Sequence, residues 1–427
     1  MVRLSQNVEA AYEPESAYAT APGSNLYHLG LLDTFDPRQV ERSITPVPSL
    51  GQSTDAHHAV GPLGVTVPIK VACNGTGWKQ LLGKAIGGTE ILSDKRANNL
   101  TTSVESLAVI AKETGGDYTL VAGVVPNEVT LSADYTTGGY ITVEANCTGY
   151  YSLDEGDANF DGFLGDDYSG VTWPSAPSAD PLLPTDLSVT VGVAADTNKL
   201  TVDGPSNSSI EIGEQYMRIF DNPTGGLDSS ISSDGILDLT AGAEDTMEEV
   251  KALIHADGNW TCTRAGSDVD SQNLLKGIYS TESSQEIFAA TSMASFTNLK
   301  TVTLKIANNN TSISGKATGD DASTKWLLNN AISRGKADVT LDLTMTAEDE
   351  TYYDMYVAGT TIPLIRLDFG THGSIALTNG TITAFSRPLS PGGETIDSMS
   401  IKFRGAGNYK NFSAYAISSS ISLNPSG

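Results

Sequence analysis

One pattern in this chain occurs twice, and it limits the fold more than any other feature. Thr66-Val-Pro-Ile-Lys-Val-Ala-Cys-Asn74 matches Thr301-Val-Thr-Leu-Lys-Ile-Ala-Asn-Asn309 at five of nine positions. Both stretches alternate apolar and polar residues through most of their length, as a strand with one buried face does. A short amphipathic segment follows each. Leu81, Leu82, Ala85 and Ile86 share one helical face after the first copy, and Leu327, Leu328, Ala331 and Ile332 repeat that stripe after Trp326 in the second. Gly87 and Gly335 suit the ends of such helices. Alternating runs then return at 129–134 and 141–149 in the first copy, and at 338–346 and 399–405 in the second. Setting Gly149 on Gly405 places Val143 on Met399, Ala145 on Ile401 and Cys147 on Phe403, so one face stays apolar in both. The recurring order predicts a mainly β chain with two tandem units of strands, 61–150 and 295–427, each with a short helix.

The segments outside the units read differently. Residues 1–60 have spaced prolines and aromatics without a sustained period, so they read as an irregular arm that buries itself on a neighbour. Residues 151–184 form an acidic, Gly- and Asp-rich linker. Residues 185–268 read as a small inserted α+β domain. Its helix starts at Thr246, which with Glu249 makes a capping-box pattern, and Met247, Val250 and Ile254 form its buried stripe.

Charge narrows the function. With 51 acidic against 25 basic residues the net charge is −26, a surface that repels phosphates and argues against gripping DNA. Two readings of the acidity stand together: adaptation to high salt, or a channel that polyanions pass without sticking. Cys73, Cys147 and Cys262 are isolated, which fits neither a disulfide scaffold nor a zinc site. The start lacks the apolar core of a signal peptide, and no stretch approaches a membrane span, so no membrane insertion is expected.

Chemistry-bearing motifs are sparse. Asp157, Asn159 and Asp161 stand at positions 1, 3 and 5 of a calcium-loop pattern, with Gly162 at 6, Leu164 at 8 and Asp167 as a further carboxylate. Position 12 is Tyr168 rather than Glu, and no flanking helices are evident. The segment is a Ca²⁺ site or a solvated acidic turn. None of His28, His57, His58, His255 and His372 has metal-ligand spacing with another His or Cys. No nucleophile elbow and no phosphate-binding loop occurs, so neither an enzyme nor a required cofactor is expected.

Several stretches, taken in order, resemble the tail tube (major tail) proteins of tailed viruses. The run Glu13-Pro-Glu-Ser-Ala-Tyr18-Ala-Thr20-Ala-Pro22 resembles that family's Tyr-Gly-Thr-x-Pro opening, with Ala19 where Gly is usual. Gly123 to Asp134, then Gly138-Gly139, Ile141 to Glu144 and Thr148-Gly149, resembles its strand-turn-strand ending in glycine. Leu299 to Asn310 resembles its strand closing on an Asn pair. With the acid excess, the resemblance extends to a virus of a halophilic archaeon. It implies that each unit is a β-sandwich with a flanking helix whose strands join those of neighbours in a barrel, and that the chain is a homo-oligomer of stacked rings, a trimer with pseudo-sixfold symmetry in preference to a hexamer. DNA would pass through the lumen without specific contact. The arm and the loop around 30–60 would bridge rings, and other tail proteins would be partners in the virion, which is assembled in the host cytoplasm. The expected wall strands are 129–134, 141–148, 338–346 and 396–404, with Asp338, Thr340, Asp342 and Thr344 as a polar lumen face. Residues 185–268 would decorate the outside. Another tail or baseplate component, or a surface β-protein or adhesin of a halophile, are the alternatives.

Overall fold

A computed structural model describes residues 8–15, 26–36, 39–47, 57–86, 95–96, 106–112, 118–154, 172–221, 227–232, 235–316, 327–333, 335, 338–347, 350–388, 394–403 and 421–424. The chain opens with β1 (Glu9–Pro14), β2 (Tyr27–His28), β3 (Leu32–Phe35), β4 (Gln39–Val47) and the long β5 (His57–Ala72). Helix α1 (Gly77–Ile86), β6 (Lys95–Arg96), β7 (Leu107–Lys112), β8 (Tyr118–Asp134), β9 (Thr142–Gly149) and β10 (Tyr151–Asp154) follow. The middle supplies β11 (Ser188–Asp203), β12 (Ser209–Ile212), β13 (Tyr216–Phe220), β14 (Ile236–Asp238), α2 (Met247–Ala256), β15 (Thr261–Ala265), β16 (Gly277–Ser280) and β17 (Gln285–Ser295). The last part contains β18 (Leu299–Ala307), β19 (Thr311–Lys316), β20 (Leu327–Ser333), β21 (Asp338–Thr346) and α3 (Thr351–Ala358). It ends with β22 (Thr361–Asp368), β23 (Ser374–Ser386), β24 (Ile396–Phe403) and β25 (Ile421–Asn424). The fold is mainly β, as expected.

Seven of these strands run side by side in the order β5-β9-β8-β18-β21-β24-β23, each antiparallel to its neighbour. Among the described residues the four expected wall segments fall on strands of this sheet: 129–134 on β8, 142–148 on β9, 338–346 on β21 and 396–403 on β24. Strands β8 and β23 are long enough to serve two layers. The first half of β8 pairs with β7 and β10, and its second half with β9 and β18. The first half of β23 pairs with β22 and its second half with β24. Between the layers lies one apolar core fed by the alternate residues of each strand, for example Val339, Leu341, Leu343 and Met345 of β21.

Two units of one topology build this sheet. In the first, β3 and β4 pair with β5, β5 with β9, β9 with β8 and β8 with β7. In the second, β18 pairs with β21, β21 with β24, β24 with β23 and β23 with β22. Val71 faces Val143 and Ile69 faces Ala145, while Leu343 faces Met399 and Leu341 faces Ile401. With Val143 on Met399 and Ala145 on Ile401, as alternation predicts, β5 corresponds to β21. Strand β18 then corresponds to β3, so the pairing of Thr66–Asn74 with Thr301–Asn309 is a correction. Each unit also extends a hairpin: β4 with the first part of β5, and β19 with β20.

The helix expected over 326–332 is a second correction. Residues Leu327–Ser333 form β20, hydrogen-bonded to β19 from Lys316↔Leu327 to Thr311↔Ser333. Gly335 ends no helix there. It passes so close to Asn309 that an added Cβ would lie 2.0 Å from its carbonyl oxygen. The second unit's helix is α3, between β21 and β22, where α1 stands between β5 and β7. Helix α1 forms as expected, with Trp78, Leu81, Leu82 and Ala85 buried against β8 and β9. Burying each large side chain contributes about 1.5–3 kcal/mol.

The arm differs from expectation as well. Residues 9–14 are β1, antiparallel to β7 from Glu9↔Lys112 to Pro14↔Leu107. Ala10, Ala11 and Tyr12 are all buried, so β1 is covered on both faces and shows no alternation to read.

The middle segment has its own core, in which α2 lies over β12, β13 and β14 with Met247, Val250 and Ile254 inward. Thr246 caps it: its Oγ1 accepts from Glu249 N at 3.3 Å, and Glu249 Oε2 accepts from Thr246 N at 3.2 Å. That core also takes in Tyr279 of β16 and Ile287 of β17. Strand β11 ties it to the second unit, pairing with β22 through 188–192, with β17 from Thr190 to Val202 and with β15 from Lys199 to Asp203.

Candidate functional site

The alternation that fills the core leaves a second face on the seven-stranded sheet, and this face is largely polar, with Pro68, Ala307 and Ala384 as its apolar exceptions. On β21 it presents Asp338, Thr340, Asp342 and Thr344, the residues expected at a lumen, and all remain partly or fully exposed. Pairing sets their neighbours. Thr340 lies between Lys305 and Lys402, Asp342 between Thr303 and Ser400, and Thr344 between Thr301 and Ser398. The Thr301 and Thr344 hydroxyls hydrogen-bond at 2.6 Å.

Lysines temper the expected acidity of this face. Among the described residues, Glu128, Asp134, Glu144, Asp338 and Asp342 share it with Lys70, Lys305 and Lys402. Lys402 Nζ lies 2.9 Å from Asp338, Lys305 Nζ lies 2.8 Å from Glu128, and Lys70 Nζ lies 2.7 Å from Asp33. Asp33 holds the Lys70 ammonium above its ordinary range, first through that hydrogen bond. All three pairs are solvated and contribute roughly 0–1 kcal/mol each. The result is a hydroxyl-rich face of mixed charge. It offers a polyanion neither a basic track nor an aromatic platform for base stacking.

The turn between β8 and β9 is held by Asp134, whose Oδ1 accepts from Thr136 N at 2.8 Å and Thr136 Oγ1 at 2.6 Å. These bonds, the hydroxyl's first, hold its carboxyl below the usual carboxylate range. Gly138 at φ +68 completes the turn in a conformation glycine adopts without strain.

The two helices flank the opposite face. Helix α1 packs on β8, and the second unit also touches it. Trp78 meets the Phe369 ring at 5.4 Å, and Asn308 Nδ2 donates to Ala85 O at 2.8 Å. Helix α3 packs on β23 with Tyr353 and Tyr356 against Phe385, at centroid distances of 5.7 and 6.2 Å. Tyr353, Tyr356 and Val357 are exposed, Val357 by 65%.

Asp157, Asn159, Asp161 and Asp167 of the calcium-loop pattern lie outside the described residues. Among the described residues no group of three His, Cys, Asp or Glu is placed to hold a metal ion. Cys73, Cys147 and Cys262 are buried and free, and burial pushes the Cys262 thiol up to about 12, far from a reactive thiolate. His28 Nδ1 accepts from Gly30 N at 3.0 Å, and burial lowers its pKa. No described helix is long and apolar enough to cross a membrane.

One cluster escaped the sequence reading. Buried Glu214, in the turn between β12 and β13, accepts from Arg366 Nε of β22 at 2.5 Å and from Ser374 Oγ of β23 at 3.0 Å. Lys276 Nζ lies 3.4 Å from its other oxygen. The cluster pins the inserted domain to the second unit. Its members are far apart in sequence and carry no local pattern.

No protein-family model matches the sequence, and no curated protein matches it. Among solved structures, the chain is similar to a chain from the tail of an empty GTA particle of C6 symmetry. The identity is 15% and the TM-score 0.21, over 27% of this chain and 84% of that one. A likeness at that score carries no argument.

Proposed function

We propose that this chain is a structural subunit of a viral tail tube, acting by assembly and without catalysis or a required cofactor. One observation carries the reading: two units of the same topology join edge to edge, β8 to β18, into one sheet whose bare face is largely polar. A wall of this kind grows by repeating a unit side by side and ends only when its edges meet, since open edges of sheet are unsatisfied. Two units per chain fit a ring of three chains with pseudo-sixfold symmetry, in preference to six chains. The hydroxyl-rich face, with acids in modest excess and its lysines paired, suits passage of DNA without adhesion.

In this reading the hairpins β4–β5 and β19–β20 project from equivalent places in the two units and reach toward neighbouring rings. The inserted domain decorates the outside, and the net charge of −26 keeps the assembly soluble in a high-salt host. Other tail proteins meet the ends of the tube in the virion. Electron microscopy of the purified chain at low and high salt tests the proposal. Rings or stacked tubes with a central hole are the expected outcome. Monomers in both conditions would refute it and favour a solitary surface protein.

A further inference from the structure

The seam inside the chain serves as a template for a seam between chains. Strand β18 is covered on both edges, by β21 and by β8, with pairs running from Thr301↔Asp134 to Ala307↔Glu128. Its counterpart in the first unit, β3, pairs only with β5 among the described residues. The counterpart of the β8 segment that receives β18 is 382–386 of β23, which pairs only with β24 among the described residues. One molecule therefore presents both halves of the seam it already contains once, at opposite ends of its sheet.

Three further observations mark these ends as uncovered. Leu131 of β8 is fully buried, whereas Phe385, which faces Met399 as Leu131 faces Val143, is only half-buried. Helix α1 is buried in part by Asn308 and Phe369 of the following unit, whereas α3 has no buried residue. A groove of about 800 Å³ runs beside β3, lined by Val8, His28, Leu31, Leu32, Asp33 and Phe35.

We infer that 382–386 of β23, together with the exposed face of α3, docks on β3 and its groove in a second copy of this chain, in the register of the β8·β18 seam. The contact is head-to-tail, so each copy offers one of each surface and the series closes into a ring. Setting Val143 on Met399 fixes the register. Thr303 faces Ser132, and the corresponding residues are Thr34, which pairs with Lys70 as Thr303 pairs with Asp342, and Ser386, which pairs with Ser398 as Ser132 pairs with Thr142. Thr34 of one copy therefore faces Ser386 of the next, and both side chains are exposed here.

This inference deepens the assembly part of the proposed function, and its test separates the two. The full chain carrying T34C and S386C is oxidised under conditions where microscopy follows the rings, the native cysteines being buried. Covalent multimers, ending at a trimer for a three-chain ring, are expected. T34C alone, S386C alone and the off-register pair T34C with A384C should stay monomeric on a denaturing gel. Rings without cross-linking of T34C to S386C would overturn the seam while leaving the tail-tube reading intact. Neither rings nor multimers would sink both. V357D, on the exposed face of α3, should abolish rings while leaving the thermal transition of the isolated chain unshifted. Rings formed by V357D at wild-type yield would remove α3 from the seam.

Discussion

Helices α1 and α3 occupy the same place in two copies of one topology, yet their surroundings differ. Trp78, Leu81 and Leu82 of α1 are sealed between β8 and the second unit, while Tyr353, Tyr356 and Val357 of α3 face solvent. Nothing internal to either unit accounts for this, because each helix packs on the equivalent strand, β8 or β23. The difference lies in what comes next along the sheet: among the described residues the second unit covers part of α1, and no further unit covers α3. The most direct way to break the comparison is to truncate each helix. Trp78→Ala should cost about 3–5 kcal/mol in the isolated chain, as large core deletions do. Tyr356→Ala should stay within roughly 0.5 kcal/mol, as exposed substitutions do. Denaturant titration of both variants checks this, and equal losses would mean that α3 is already covered.

The intrachain seam can be weakened without touching an apolar residue. Asn308 is buried, and its Nδ2 donates to Ala85 O at 2.8 Å and to Pro126 O at 3.2 Å, tying the end of β18 to α1 and β8. Asn308→Ala leaves two buried carbonyls short of a donor and should cost about 1–3 kcal/mol. Hydrogen exchange should show the faster-opening amides clustered along β8 and β18 rather than across β21 and β24. A uniform increase would mean that Asn308 supports the whole sheet and not the joint.

The parts of this architecture that could be read from the residues are those set by alternation. Strands β9 and β24 hold equivalent places in the two units, each with one apolar face, and the β21 polar face is the one expected. Strand identity was not legible, because period two is common to every half-buried strand. The likeness of Thr66–Asn74 to Thr301–Asn309 therefore matched strands from different places. The run Leu327-Leu-Asn-Asn-Ala-Ile332 was open to both readings, since a short apolar stripe fits a helix face or a hairpin, and its two asparagines favour the hairpin. Helix α3 was missed because Thr351-Tyr-Tyr-Asp-Met-Tyr-Val-Ala358 is rich in aromatic residues and has no buried stripe to mark it. The uncovered edges were also beyond reach. They depend on which strand has a neighbour on each side, a property of pairing rather than of composition.

On the polar face the two units should respond almost alike, which sharpens the comparison from the opposite side. Lys305–Glu128 bridges the seam and Lys402–Asp338 sits within the second unit, yet both pairs are solvated at 2.8 and 2.9 Å. Lys305→Met and Lys402→Met should each change stability by no more than about 1 kcal/mol, with the difference vanishing at about 1 M salt, where screening is complete within a few ångströms. A larger, salt-resistant loss for Lys305→Met alone would give the seam an electrostatic component that its geometry does not suggest.

The smallest effect is expected at the β8–β9 turn. Asp134 is held in its ionised form by the Thr136 hydroxyl and amide. Its folded pKa therefore lies below the ordinary value of 3.8. A carboxyl lowered on folding adds stability above its unfolded pKa and loses that increment as pH falls through the folded one. Wild-type should thus lose slightly more stability than Asp134→Asn between about pH 5 and about pH 2. Because the group is exposed, the difference should appear as a shallow change of slope in acid titrations of the folding midpoint, and 1 M salt should leave it largely in place, since it comes from short hydrogen bonds rather than from distant charge. The corresponding connection between β23 and β24 runs through Arg387, bound to Asp397 at 2.6 and 2.8 Å. Unlike Asp134, which the hydroxyl and amide of its own turn hold, Asp397 is buried and depends on a cation from across the connection, so Arg387→Gln should cost more stability at neutral pH than Asp134→Asn. Equal losses for the two variants at neutral pH would show that the two turns are held alike.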